Sequence, residues 1–457
     1  MNGVCLITVA TLAVTLLVFV QSPAVAAVAR ESDYRGWKTV TLTNGIIELH
    51  VAPEIGGRII QFKLSDFEYL WVNEQLAGKS PLPGGVGPNG EWLNYGGDKL
   101  WPAPQGWRSD AQWPGPPDPV LDGSPHKATV LTDEGSSVAV KLVSGEDRRT
   151  GIQFSRVITV FDNVARGSVD ATMTNVARKP IRWGVWSNTQ LNAGNRRGEG
   201  YNENMWAYCP MNPTSIFPKK YNVMFGLVNN PSYKPDYESG MLRVHYERLI
   251  GKVGVDCSAG WTAVVDGTDG YVFVQRFTYF PDREYTDGAS VEIWMDGVGK
   301  IYTGDNVWEG VDDPLKTPYV LESEVLSPYA KLEPGESYTY HYDWYAARIG
   351  GNLPILGCTD VGVTCEPFAA HVSDGRLALK GRFGVFCTGT AKLVFYDASG
   401  AELATRDLAV EMHPARPLAL GSTADIAVPA EAVRVRLVVA DANGRVIGEL
   451  GRAQVQR

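Results

Sequence analysis

Short runs in which apolar and polar residues alternate with a period of two recur from Lys38 onward, and turn residues separate them. Successive side chains on an extended strand point to opposite faces, so each run describes a ribbon with one face to bury; a helix would repeat its apolar stripe every three or four residues instead. In "GIIELHV" Ile47, Leu49 and Val51 share a face, and in "SSVAVKLVSG" Val138, Val140 and Leu142 do the same. "GIQFSRVITVF", "GSVDATMTNV", "IRWGVWSNTQL", "YVFVQRFTYF" and "SVEIWMDG" continue the pattern, and "SYTYHYDWYAARI" alternates Tyr338, Tyr340, Tyr342 and Trp344. No long amphipathic helix interrupts them. The chain reads as all-β, built from large antiparallel sheets. Its 457 residues suit two or three domains, and 44% hydrophobic content with 49 Gly and 28 Pro fits many short strands joined by turns.

The amino terminus differs from the rest. An apolar run over residues 4–20 is followed by Gln-Ser-Pro and by small residues at Ala24, Ala26 and Ala27. This is the pattern of a secretory signal peptide spanning residues 1–29, cleaved near Ala26 or Ala29; an uncleaved membrane anchor is the competing reading. No later segment is apolar for long enough to span a bilayer. The expectation is a periplasmic or secreted protein, free of the membrane once the leader is removed. A net charge of −9 without a basic stripe argues against nucleic acid as a partner.

Gly, Pro and Cys cluster over residues 348–362, and beyond them Trp is absent and the strands are short. Residues 30–350 therefore read as one large β domain, 351–366 as a linker and 367–457 as a small immunoglobulin-like β-sandwich. In an exported chain Cys358 and Cys365 could close a loop in the linker, and Cys209 could pair with Cys257 at longer range; Cys387 completes the set. No Cys or His spacing suggests a metal, and no phosphate loop, dinucleotide fingerprint or nucleophile elbow is present, so neither metal nor cofactor is expected.

One segment, residues 73–123, lacks strand patterning and carries Trp92, Trp101, Trp107 and Trp113, with "GGDKLWPAPQGW" at its centre. A loop of that length in a compact domain is usually functional. Aromatic faces stack on the C–H faces of sugar rings, and neighbouring polar groups such as Asp98 and Lys99 can bond their hydroxyls. The alternative is that these rings fill space beneath the loop. Two further places gather polar groups. Glu322 and Glu324 share one strand face, where mutual burial would split their pKa values as acid–base work requires. His245, Arg248, Lys252 and Asp256 fall in one short span; a His on a strand is also a common structural hydrogen-bonding residue.

The order of "PEIGGRIIQF", "TNVARKPIRWGVWSNTQL" and "VLESEVLSPYAKLEPGE" resembles the galactose mutarotase-like superfamily, and "GGRI" followed by "GGDKLWPAPQ" is similar to a bacterial family of uncharacterised function within it. The resemblance extends over about residues 36–348. It implies a supersandwich of two large antiparallel sheets with a sugar on an open face. Aldose 1-epimerases in that superfamily use a late-strand Glu as base and a middle-strand His as acid. Glu322 matches the Glu, whereas the middle strand has Ser187 and Asn188 where the His would stand. The resemblance thus implies an exported carbohydrate-recognising protein with Glu322 as base and His245 or Lys252 as its partner. Arg58, Asp98, Lys99, Trp101, Trp107, Trp186, Asn188 and Lys252 would be the binding groups. Epimerisation of a sugar ring is the conservative chemistry. A lyase, a hydrolase pairing Glu322 with Asp98, a binder without turnover and a structural envelope protein are the alternatives.

Overall fold

The computed structural model describes residues 26–81, 84–132, 135–303, 306–373, 376–421, 423–424 and 426–457. Most of the expected leader lies outside the described residues. The first strand, Val28–Tyr34, includes Ala29, and the backbone N–H of Ala27 donates to Asp162 at 2.7 Å.

The alternating runs form two large antiparallel sheets. A twelve-stranded sheet starts with four sequential hairpin strands, Val28–Tyr34, Trp37–Thr43, Ile47–Ala52 and Arg58–Leu64. It continues through Asp98–Ala103, Ile181–Asn192, Val320–Leu326, Val291–Met295, Gly251–Val255 and Asn222–Gly226. A ten-stranded sheet is centred on Tyr271–Phe277, Ser337–Arg348 and Arg166–Asn175. The expected inward faces are the observed ones: Ile47, Leu49, Val51, Val140, Leu142, Tyr340, Tyr342 and Trp344 are all buried in one core between the sheets. Each such side chain contributes on the order of 1.5–3 kcal/mol by leaving water. Among the described residues, no helix is long and apolar enough to cross a membrane, and no cluster of His, Cys, Asp and Glu is arranged to hold a metal ion.

A polar layer runs through this core. Asp98 accepts hydrogen bonds from Arg156 (2.7 Å), Ser187 (2.9 Å) and Thr189 (2.7 Å). Gln275, on the opposite sheet, donates to Thr189 and accepts from Ser323. Burial raises the Asp98 carboxyl, and the Arg156 guanidinium opposes it. Groups this deep must be fully bonded, and this set largely is.

From Gly357 onward the strands form a separate nine-stranded sheet with its own core. It packs on the outer face of the ten-stranded sheet, where Tyr345 and Phe386 stack at 4.5 Å and the Ala165 N–H donates to the Phe386 carbonyl. All five described cysteines are free thiols. Between Gly357–Cys358 and Gly362–Ser373 the register sets Cys358 opposite Val363, and the Leu356 N–H donates to the Thr364 carbonyl; Cys365 is therefore diagonal to Cys358 rather than opposite it, and both are free thiols. Cys209 and Cys257 are both buried in the main core as thiols.

Candidate functional site

Six adjacent strands of the twelve-stranded sheet carry chemistry on the face that points away from the core. Register aligns it in rungs. Trp101 lies opposite Trp186; Lys99, Asn188, Glu324 and Glu292 form a second rung; Gln190, Glu322, Trp294, Lys252 and Phe225 form a third. The alternate residues of the same strands, Val185, Leu191, Leu321, Val325, Ile293 and Val253, fill the core. The outer face forms the floor of a cleft of about 710 Å³, walled by Trp71, Trp92, Trp107 and Pro116 on one side and by Asp296, Trp308 and Leu315 on the other.

The long segment that walls the cleft is held from within by two buried aspartates. Asp118 caps the short helical turn Pro119–Gly123 by accepting from the N–H groups of Val120 and Leu121, and it accepts from the Trp113 indole at 2.8 Å. Asp122, inside that turn, accepts from the indoles of Trp92 (2.8 Å) and Trp101 (2.9 Å) and from Arg58 (2.9 Å). Two glycines allow the backbone to approach. A Cβ on Gly56 would lie 2.0 Å from the Asp122 carbonyl and one on Gly97 would lie 2.5 Å from that of Ile59, and both have positive φ. The turn around Trp107 is closed by hydrogen bonds from Gly106 to Trp113 and from Trp113 to Pro104, which leaves Trp107 56% exposed at its tip.

Glu322 is half-buried on the floor. It accepts from the side-chain amides of Asn188 (2.9 Å) and Gln190 (2.7 Å). Both amides spend an N–H on the carboxylate, and their own oxygens are buried without a partner among the described residues. Asp296 follows the strand Val291–Met295, and its N–H donates to the Val320 carbonyl, so it is the diagonal neighbour of Glu322 across the pair, roughly 7–8 Å away. Burial, then the Glu322 charge, push the Asp296 carboxyl up to about 7, against Arg248, which lowers it.

Glu324, two residues along from Glu322, is buried completely. It accepts from the Trp186 indole (2.6 Å) and from Lys252 (2.8 Å), which also reaches Glu292 at 2.6 Å. Burial alone would lower the Lys252 ammonium, but the carboxylates of Glu292 and Glu324 hold it above its ordinary value; burial raises Glu324 despite Lys252. Lys252 also lies over the Trp186 ring at 4.5 Å. This triad supports the floor from behind Trp186.

Lys99 is 1% exposed, and its ammonium lies 4.9 Å from the Trp101 ring centroid and 6.0 Å from that of Trp92, with no hydrogen-bond partner among the described residues. Burial lowers it to about 8, against the attraction of Glu322. The folded chain therefore holds this proton less tightly than the unfolded chain does. Lys99→Met should be more stable than the parent by on the order of 3 kcal/mol below pH 8, with the gain vanishing as pH rises to about 10.5. Equal denaturation midpoints for the two proteins at pH 7 would contradict this.

The structure brings together Glu322, Asn188, Trp101, Trp107, Trp186 and Lys252 of the expected residues, with Lys99 in the layer just beneath. It does not bring in three others. Asp98 points between the sheets, since its neighbour Lys99 takes the cleft side. Arg58 is 0% exposed and acts through Asp122. His245 lies on Met241–His245 of the other sheet, stacked on Trp206 and bonded to Glu247 and the Glu203 carbonyl, on the far side of the sandwich. The groups the sequence reading missed are Asp122, Gln190, Phe225, Trp294, Asp296 and Trp308. The signal was present: in "VEIWMDG" every second residue, Glu292, Trp294 and Asp296, interrupts an apolar run, and "WSNTQ" extends the Trp186–Asn188 face to Gln190.

Residues 37–198 match a domain of unknown function, DUF4380. The chain is similar in structure to galactose mutarotase-like proteins. One from Lactobacillus casei is 11% identical with a TM-score of 0.42, over 67% of this chain and 99% of that one. Another, from Clostridium acetobutylicum, is 11% identical with a TM-score of 0.41, over 71% and 99%. A TPR-domain containing protein from Parabacteroides distasonis is 14% identical with a TM-score of 0.45 over 70% of this chain; the match spans about half of that protein, 48%. No curated protein matches the chain.

Proposed function

We propose that the chain is an exported carbohydrate-recognising protein that performs acid–base chemistry on a sugar ring bound in this cleft. The observation that carries the reading is the carboxyl pair on an aromatic floor: Glu322 bonded by two amides, and Asp296 diagonal to it with its proton retained to about pH 7. Two carboxyls whose environments differ in this way can act as base and acid in one step. Trp294, Phe225 and Trp92 offer apolar faces to the ring, and Asn188 and Gln190 hold the Glu322 carboxylate in place beneath it. The apolar leader over residues 4–20 supports export.

In the step this arrangement suits, the Glu322 carboxylate takes the proton of the anomeric hydroxyl while Asp296 gives its proton to the ring oxygen. The bond between the anomeric carbon and the ring oxygen breaks, and a carbonyl forms. Rotation and reclosure from the other face return both protons. Asp296 supplies the acid that the middle strand, with Ser187 and Asn188, lacks.

The test is a panel of sugars read by tryptophan fluorescence for binding and by NMR for turnover. Because the acid must be protonated, turnover should be maximal below pH 7 and fall about tenfold per unit above it, and Asp296→Asn should abolish that limb together with most of the rate. A rate that stays flat through pH 9, or full turnover in Asp296→Asn, would remove Asp296 from the chemistry. Binding without turnover would leave a carbohydrate-binding protein.

A further inference from the structure

The floor accounts for one sugar ring, but the cleft has more aromatic surface than one ring can cover. Trp308 lies on a hairpin of its own, Gly299–Thr303 paired with Asn306–Gly310, which forms a separate two-stranded sheet. An isolated hairpin is marginal in water, and apolar side chains on both of its faces make it more so. Tyr302 is 71% exposed, Val307 55% and Trp308 52%, and Leu315 beside them is 72% exposed. Contiguous exposed apolar surface continuous with a binding cleft marks where a ligand lies. Across the cleft Trp107 is exposed to a similar degree, on a turn closed by its own hydrogen bonds.

Register fixes where these two rings stand relative to the carboxyl pair. The Trp107 turn leaves the sheet beyond Trp101, at one end of the strand Asp98–Ala103. The hairpin leaves beyond Asp296, at the opposite end of the rungs and three strands away. Glu322 lies between them.

From this placement we infer that the ligand is a branched oligosaccharide. Its reducing-end sugar, with the anomeric hydroxyl free, lies over Glu322 and Asp296 and carries, through two of its other hydroxyls, neighbours that stack on Trp107 on one side and Trp308 on the other. The inference rests on the sugar reading above and adds the substrate class. Both side chains are more than half exposed, so replacing them leaves the core intact.

The experiment measures affinity by intrinsic fluorescence for size-fractionated linear and branched fragments, one to six residues long, of pectin, xyloglucan, cellulose and chitin. In the series that binds, affinity should rise at least tenfold from one residue to three. Trp107→Ala and Trp308→Ala should each weaken the longest fragment roughly tenfold more than they weaken the single sugar. If a single sugar binds as tightly as its oligomers, or if either variant weakens both alike, the flanking sites do not exist and the sugar reading stands without them. If no fragment of any length binds the folded protein, the sugar reading falls, and this inference with it.

Discussion

Glu322→Gln should lower turnover of the bound sugar by roughly 100- to 10,000-fold while changing its affinity only a few-fold. The amide keeps the shape of the side chain and removes its capacity to take a proton. Asn188 and Gln190 donate to the carboxylate now; facing an amide, one of them can still donate to its oxygen, so the floor keeps its form. The rate and the binding constant therefore separate, which a variant that merely disturbed the fold would not allow. The measurement is NMR turnover beside fluorescence titration on one preparation. Turnover within threefold of the parent would exclude Glu322 as the base, and loss of binding in parallel with rate would make it a binding group only.

Asp122→Ala should cost about 3–5 kcal/mol of stability and weaken sugar binding as well. The carboxylate is buried, and it is the ionic partner of Arg58, which has no exposure of its own. Removing one member of a buried pair strands the other, and that penalty exceeds anything the pair contributed. The indoles of Trp92 and Trp101 lose their acceptor in the same substitution, so the aromatic wall loosens with the core. Denaturant midpoints would read the loss, and Arg58→Met in the Asp122→Ala background should return part of it, since the stranded charge is then gone. A loss below about 1 kcal/mol would mean that solvent reaches Arg58 and that Asp122 is not the keystone of the loop.

The strands were legible because alternation is a local property: "GIIELHV" and "SYTYHYDWY" name their buried faces without reference to anything distant. The site was legible only in part. In "DKLWPA" all six residues are buried, so burial on both faces removes the contrast that would say which of Asp98 and Lys99 faces the ligand. One residue of register decides it, and Asp98 faces the core. His245 stands on a well-patterned strand, but the pattern does not reveal to which sheet that strand belongs. Asp122 was hidden for a different reason. It is a polar residue in a polar, Pro-rich loop, and only the tertiary fold brings Arg58, Trp92 and Trp101 to it. The cysteine spacing of "CTDVGVTC" suggested a loop closure, but the hairpin register sets Val363 rather than Cys365 opposite Cys358, and both thiols are free.

The polar layer between the sheets has a consequence for how this protein can change over generations. Ser187 and Thr189 clasp Asp98 on one side of the strand whose other side presents Trp186, Asn188 and Gln190 to the cleft. A slip of one residue would turn each set to the wrong side, and the hydroxyl–carboxylate clasp makes that slip costly from behind. Selection on the ligand is thereby uncoupled from selection on alignment: the outward residues can change with the ligand while the inward ones keep the ruler in place.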